Sequence, residues 1–232
     1  MQRLMNGSMP ASAAVPYEGR HFAGLLFDMD GTLITSIDSA NRTWTSWALM
    51  RGFDPAHVIS IMHGVRTVET MKKLGVADPV AEAAWITRRE IEDTDGVEPV
   101  PGVFEFLAGV PEGRWAIVTS ASRALAEARL LRAGIDVPLV LVTSEDVERG
   151  KPDPACFLLG AERLGVDASN CLVFEDTLAG LRAADASGAA GVAITFTHHD
   201  PIGTAHPAIF NYSSLAVTAD FKGLKLTRGM PR

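Results

Sequence analysis

The stretch Leu25-Leu26-Phe27-Asp28-Met29-Asp30-Gly31-Thr32-Leu33 decides the fold. An apolar run ending in two aspartates around one methionine reads as a buried strand that carries carboxylates to the edge of a sheet. Side chains alternate along a strand, so Asp28 and Asp30 are expected to point the same way. Two carboxylates held together repel, and a hard cation is the usual means of offsetting that.

Outward from this stretch, short apolar runs recur at residues 115–119 (WAIVT), 139–143 (LVLVT), 171–174 (CLVF) and 191–196 (GVAITF). Like LLF, they lack polar alternation, as buried parallel strands do. Helical patterns separate them. One is capped by Ser122 and stops at Gly134, one opens on Asp153-Pro154, and one stops at Gly188. Strand–helix alternation predicts an α/β fold with a Rossmann-like parallel sheet. Residues 36–100 break the rhythm and read as helices, with Ile37, Trp44, Trp47 and Ala48 on one face. That block is too long for a loop. It is expected to be an inserted α-helical cap domain, with Trp44 and Trp47 in its core. The expected organisation is a disordered tail over 1–21, a catalytic core over 22–35 and 101–232, and a cap over 36–100.

The composition fits that plan. The chain has 232 residues, 47% hydrophobic and 21% charged, with net charge -7, as for one domain bearing an insertion. The acidic balance argues against non-specific nucleic-acid binding. Cys156 and Cys171 sit in apolar contexts and are expected to be buried free thiols of a reducing compartment. No run reaches the roughly 18 to 20 apolar residues of a membrane span. The first twenty residues lack the apolar core of a signal peptide. A cytoplasmic protein without membrane attachment is expected. His198, His199 and His206 fit no usual ligand spacing and are expected in a solvated loop.

In open parallel sheets ligands bind beyond the carboxyl ends of the strands. Those ends deliver Asp28, Asp30, Gly31 and Thr32; then Thr119, Ser120 and Ser122; then Lys151; then Glu175 and Asp176. Phosphoryl transfer needs such a set: a nucleophile, a cation, a positive side chain and donors for the equatorial oxygens. Asp28 suits the nucleophile and Asp30 the acid/base. Asp28, Asp176 and the Asp30 carbonyl suit Mg²⁺. Lys151 offsets charge between Asp28 and the phosphate.

The segments DMDGTL, VTSAS, GKPDP and FEDT, in this order and spacing, resemble the four motifs of the haloacid dehalogenase-like hydrolase superfamily over about residues 25–196. The resemblance implies a Rossmann-like core with a helical cap inserted after the first motif. It implies Asp28 as nucleophile, Asp30 as acid/base, Thr119 or Ser120 holding the phosphate, Lys151 steadying it, and Asp176 binding Mg²⁺ with Glu175 in support. The helical block is similar to the cap of glycerol-3-phosphatases and related sugar or polyol phosphatases. Thr35 departs from that pattern, since many relatives carry Asp there. His63, Gly64, Arg66 and Thr67 read either as a plain turn or as a loop reaching the substrate, with Arg66 and His63 as its contacts. The expectation is a Mg²⁺-dependent phosphatase for a small phosphomonoester, as monomer or dimer. Two alternatives stand beside it. One is a sugar-phosphate mutase of the β-phosphoglucomutase type, which usually carries His where this chain has Ala40. The other is a non-catalytic phosphate-binding regulatory module.

Overall fold

The computed structural model describes residues 14–198 and 200–229. The first strand, β1 (Gly24–Phe27), is wholly buried, because its side chains enter apolar layers on both faces of the sheet. Leu25 and Phe27 join one layer, and Leu26 joins the other. That explains the absence of polar alternation in the sequence. After a short β2 (Ile34–Thr35) come four helices: α1 (Ile37–Arg51), α2 (Pro55–Met62), α3 (Thr67–Lys73) and α4 (Pro79–Glu92). The chain returns through β3 (Glu98–Pro99), α5 (Val103–Ala108), β4 (Trp115–Val118), α6 (Arg123–Ala133), β5 (Leu141–Val142) and α7 (Ala155–Arg163). It ends with β6 (Cys171–Glu175), α8 (Leu178–Ser187), β7 (Ala190–Ile194), β8 (Ala208–Ile209), β9 (Leu215–Asp220) and β10 (Gly223–Arg228).

The six strands of the main sheet run parallel in the order β5-β4-β1-β6-β7-β8. β1 lies between β4 and β6, with Leu25 in register with Trp115 on one side and Leu172 on the other. Strand order reverses there, so the loops after β1, β4 and β6 diverge and leave a crevice at their carboxyl ends. Phe27 stacks on Phe174 with ring centroids 4.9 Å apart, and Phe106 and Tyr212 pack against the pair. On the opposite face Phe157 of α7 and Ala183 and Ala184 of α8 meet Leu26, Val118 and Val173. Cys156 and Cys171 are buried there as free thiols.

The helices α1–α4 have an apolar cluster of their own, built on Trp44, Trp47, Val58, Met62, Met71 and Ile86. Trp47 stacks on Phe53 and donates its indole N–H to Glu82 at 2.7 Å. Asp54 and Asp78 each cap a helix that begins with proline. The antiparallel ribbon β2–β3, unanticipated from sequence, joins this helical layer to the sheet.

The C-terminal part also differs from expectation. The hairpin β9–β10 packs on α5 and, through Phe22 and Leu224, on the start of β1. Within the segment expected to be a disordered tail, residues 1–13 lie outside the described residues. Residues 14–21 do not trail away: Val15 and Tyr17 pack against the core, and the Tyr17 hydroxyl donates to the Gly191 carbonyl at 3.0 Å. The run at 139–143 narrows to Leu141–Val142, because Thr143 turns out of the sheet to bond Asp146.

That turn starts the loop carrying Lys151. Asp146 Oδ2 accepts from the Thr143 N–H and hydroxyl, both at 2.8 Å, and Oδ1 accepts from Arg163 at 2.6 Å. Burial pushes the Asp146 carboxyl up, but these bonds outweigh it and hold it at about 2. The stabilisation is therefore present above the unfolded pKa of about 3.9 and is lost as pH falls through about 2. Asp146→Asn is expected to lower the unfolding free energy by about 1–2 kcal/mol at pH 7. The difference should shrink as acid is added below about pH 4, as urea unfolding across pH would show.

Candidate active site

Asp28 is the first residue beyond β1, and its N–H donates to the Phe174 carbonyl of β6 at 2.9 Å. The chain then turns back tightly, with Leu33 and Ile34 both donating to the Met29 carbonyl. Met29 is buried in the core, which leaves Asp28 and Asp30 on the cavity side, as strand alternation requires. Gly31 has φ +86°, and a Cβ there would overlap the Asp176 carboxylate. Glycine is the residue that allows this turn and the neighbouring acid to coexist.

Lys151 is buried, and all three of its donors are used: Asp28 Oδ1 at 2.5 Å, Glu175 Oε1 at 2.7 Å and the Val118 carbonyl at 3.2 Å. Burial alone would lower the Lys151 pKa, but Asp28 and Glu175 more than reverse that and hold it above its ordinary value. Glu175 Oε2 accepts from the N–H and hydroxyl of Thr177 at 2.6 and 2.9 Å. Burial pushes the Asp28 carboxyl well above its usual range, with Lys151 opposing and Glu175 and Asp176 adding to the rise. Burial likewise pushes Asp176 up to about 6, against the pull of His198.

Asp28, Glu175 and Asp176 offer carboxylate oxygens that all lie within 4.8 Å of one another, each buried. Asp176 Oδ1 is buried without a hydrogen-bond partner. Three carboxylates against one ammonium leave two negative charges in a dry crevice, a balance that a divalent cation with oxygen ligands would restore. The donor set therefore fits a hard metal ion.

Facing the strand ends is a cavity of about 80 Å³ between the sheet and the helical layer, lined by Asp28, Asp30, His63, Glu90, Thr119 and Arg129 among others. Thr119 is buried, and its Oγ1 accepts from the Ala121 N–H at 3.1 Å. Ser120 donates to the Gly64 carbonyl of the helical layer at 3.1 Å. Both hydroxyl residues line the cavity. Ser122 caps α6. His63 also lines the cavity and bonds Asn41 at 3.2 Å, and burial lowers its pKa. Arg66 is placed differently. Its guanidinium donates to the Glu148 carbonyl at 2.7 Å and the Val147 carbonyl at 3.3 Å, so it fastens the helical layer to the Lys151 loop and does not line this cavity.

Three residues beside the acids had no mark in the sequence. Ser36 donates to Asp30 Oδ1 at 2.6 Å, and Arg129 approaches the same oxygen at 3.0 Å. Glu90 meets Arg129 at 3.1 Å. His198 Nε2 lies 3.5 Å from Asp176 Oδ2, an ion-pair distance without hydrogen-bond geometry, where a solvated loop was expected. His199 lies outside the described residues. His206 is also engaged, with Asp185 at 2.9 Å. Arg129 could have been suspected, because it shares a helical face with Leu125 and Ala126; nothing in the sequence marked Ser36 or Glu90.

A parallel sheet with acids and one buried lysine at its switch point defines a phosphoryl-transfer enzyme of Rossmann-like fold. The model of the haloacid dehalogenase-like hydrolases matches residues 22–188, and the chain belongs to that family. It is 38% identical over 180 residues to hexitol phosphatase A of Escherichia coli (strain K12), covering 74% of this chain and 82% of that protein. It is 33% identical over 189 residues to glycerol-1-phosphate phosphohydrolase 2 of Saccharomyces cerevisiae, covering 74% of each. Among solved structures it is similar in fold to CbbY from Rhodobacter sphaeroides in complex with phosphate, with TM-score 0.71, 21% identity, and 82% of this chain and 95% of that one covered. The enzyme class is phosphoric monoester hydrolase.

Arg66→Ala removes a charged hydrogen-bond donor from the seam, a loss of about 1.5–3 kcal/mol from the docked arrangement. Because that guanidinium meets backbone carbonyls, kcat/KM is expected to fall by a common factor for large and small phosphomonoesters alike. Loss confined to one substrate would place Arg66 against the substrate instead.

Proposed function

We propose that this chain is a Mg²⁺-dependent phosphatase of small sugar or polyol phosphates, working through an aspartyl-phosphate on Asp28. The observation that carries this is Lys151, buried between Asp28 and Glu175 at the switch point and next to Asp176. The similarity to hexitol and glycerol-1-phosphate phosphatases supports the substrate class.

The Asp28 carboxylate attacks phosphorus as the ester P–O bond breaks, and Asp30 gives its proton to the departing alkoxide. In the second half Asp30 takes a proton from water, whose oxygen attacks phosphorus. The acyl-phosphate P–O bond breaks, Asp28 is regenerated and inorganic phosphate leaves. Lys151 holds Asp28 in place and offsets charge as the phosphate approaches. Thr119 and Ser120 line the phosphate side, and the N–H groups of the turn after β1 supply further donors. Asp28, Asp176 and the Asp30 carbonyl, with Glu175 alongside, would hold Mg²⁺, which when bound supplies positive charge between two negative reactants. Glu175, with both oxygens engaged by Lys151 and Thr177, chiefly positions the lysine.

The helices α1–α4 act as the cap. The small cavity beneath them, closed by the contacts of Ser120 and Arg66, favours compact substrates over phosphoproteins or nucleic acids. Ala40 contributes only a methyl to its wall, which favours hydrolysis over the mutase reading.

Phosphate release from a panel of hexitol, glycerol, sugar and peptide phosphates, with and without Mg²⁺, tests this directly. Only the small phosphates should turn over, and chelator should abolish it. Asp28→Asn should lose several orders of magnitude in kcat, because an amide is a far weaker nucleophile. Asp30→Asn should lose about 10²- to 10⁴-fold, less for p-nitrophenyl phosphate, whose leaving group needs no proton. Full activity in chelator, or preference for a phosphopeptide, would overturn the reading.

A further inference from the structure

Arg129 projects from α6, a core helix, and is only 5% exposed. Its Nη1 lies 3.0 Å from Asp30 Oδ1, and its Nη2 lies 3.1 Å from Glu90 Oε1. Glu90 sits in the last turns of α4, on the cap side, and is itself buried. Two carboxylates from different layers thus share one guanidinium. A buried charge triad is a poor way to gain stability, because apolar residues of similar volume often do as well or better. Position 129 follows Leu125 and Ala126 on the buried face of α6, where an aliphatic side chain would serve packing alone. Its two charged partners call for another explanation.

We infer that Arg129 is the positioning residue for Asp30, and that Glu90 makes this positioning depend on docking of the cap. The inference rests on the proposed phosphatase reading. Asp30 Oδ1 is held from two sides, by Ser36 at 2.6 Å and by Arg129, and Oδ2 is the oxygen left for the leaving group. A guanidinium offers two parallel N–H donors that match both oxygens of one carboxylate. With the cap docked, Glu90 takes one of those donors. With the cap away, Arg129 and Asp30 stay together on the core, and the freed donor closes on Oδ2. Asp30 is then masked until the cap returns. The acid/base oxygen is therefore presented only when the substrate is enclosed, which keeps the phosphorylated intermediate from early attack by bulk water.

The experiment compares kcat and KM for hexitol or glycerol phosphate with those for p-nitrophenyl phosphate in Glu90→Gln, Arg129→Lys and the double variant, each checked by thermal melting. In Glu90→Gln, kcat on the polyol phosphate is expected to fall about 10- to 100-fold, and much less on p-nitrophenyl phosphate, since only an alkoxide needs the proton. KM should change little. Arg129→Lys replaces a fork by a point charge and should show the same split. The double variant should lose no more than the worse single variant, because the two residues act as one unit. Should Glu90→Gln melt far below the parent, Arg129→Lys, which keeps the charge, carries the test. Equal loss on both substrates, a change in KM alone or additive losses would overturn the inference while leaving the phosphatase intact. A parent protein inactive on every phosphomonoester would overturn the proposed function and this inference with it.

Discussion

One buried ammonium holds the chemistry of this molecule together. Lys151 stands between Asp28 and Glu175, with the Val118 carbonyl taking its third donor. Removing the lysine would leave two buried carboxylates without their counter-charge in a crevice almost without solvent. Each of the three charged groups is delivered by a different part of the fold: Asp28 by β1, Glu175 by β6 and Lys151 by the loop that Asp146 fastens. The neighbouring arrangement follows from the same constraint. Gly31 leaves room for Asp176, and Thr177 turns Glu175 toward the lysine. Sheet order and site charge are thus two views of one requirement: central strands must end side by side, and the acids they bring together must be neutralised there.

The central sheet was legible because its strands are apolar on both faces, as in LLF and CLVF, where nothing but burial accounts for the pattern. The helical layer was legible from length and from the tryptophan spacing, which places Trp44 and Trp47 in one cluster. The hairpin β9–β10 escaped notice. In β9 only Leu215 and Val217 are buried, and the strand runs on into exposed residues, so its apolar signal is weak. The packing of Val15 and Tyr17 escaped for a related reason. Two side chains lodged against a distant surface leave no periodicity to read.

At the site, the groups supplied by strand ends could be located because the strands fix their direction. Asp28, Asp30, Thr119, Glu175 and Asp176 all reach the crevice or its wall, and Lys151 joins them from the loop after β5. The groups supplied by helices could not be read in the same way. Arg129 and Glu90 lie on helices and Arg66 immediately precedes one, and charged residues so placed face water unless a tertiary partner captures them. Whether a partner exists depends on how the two layers meet. Arg66 found backbone carbonyls of the Lys151 loop, Arg129 found Asp30, and Glu90 found Arg129.

The place of β1 in the middle of the sheet bears on how the chain folds during synthesis. Both of its hydrogen-bonded neighbours, β4 and β6, come far later in the sequence, with the whole helical layer made before the first of them. Helices α1–α4 gain most of their contacts locally and can assemble early. The strand bearing the first carboxylate must wait for Trp115–Val118 before either edge can pair, and its other edge stays open until Cys171–Glu175 emerges from the ribosome. Until the first of these arrives the nascent chain presents an unpaired, wholly apolar strand, the kind of segment that chaperones bind and that aggregates when they do not. The site consequently cannot form until Lys151 and Glu175, both made after the whole helical layer, are available to meet Asp28.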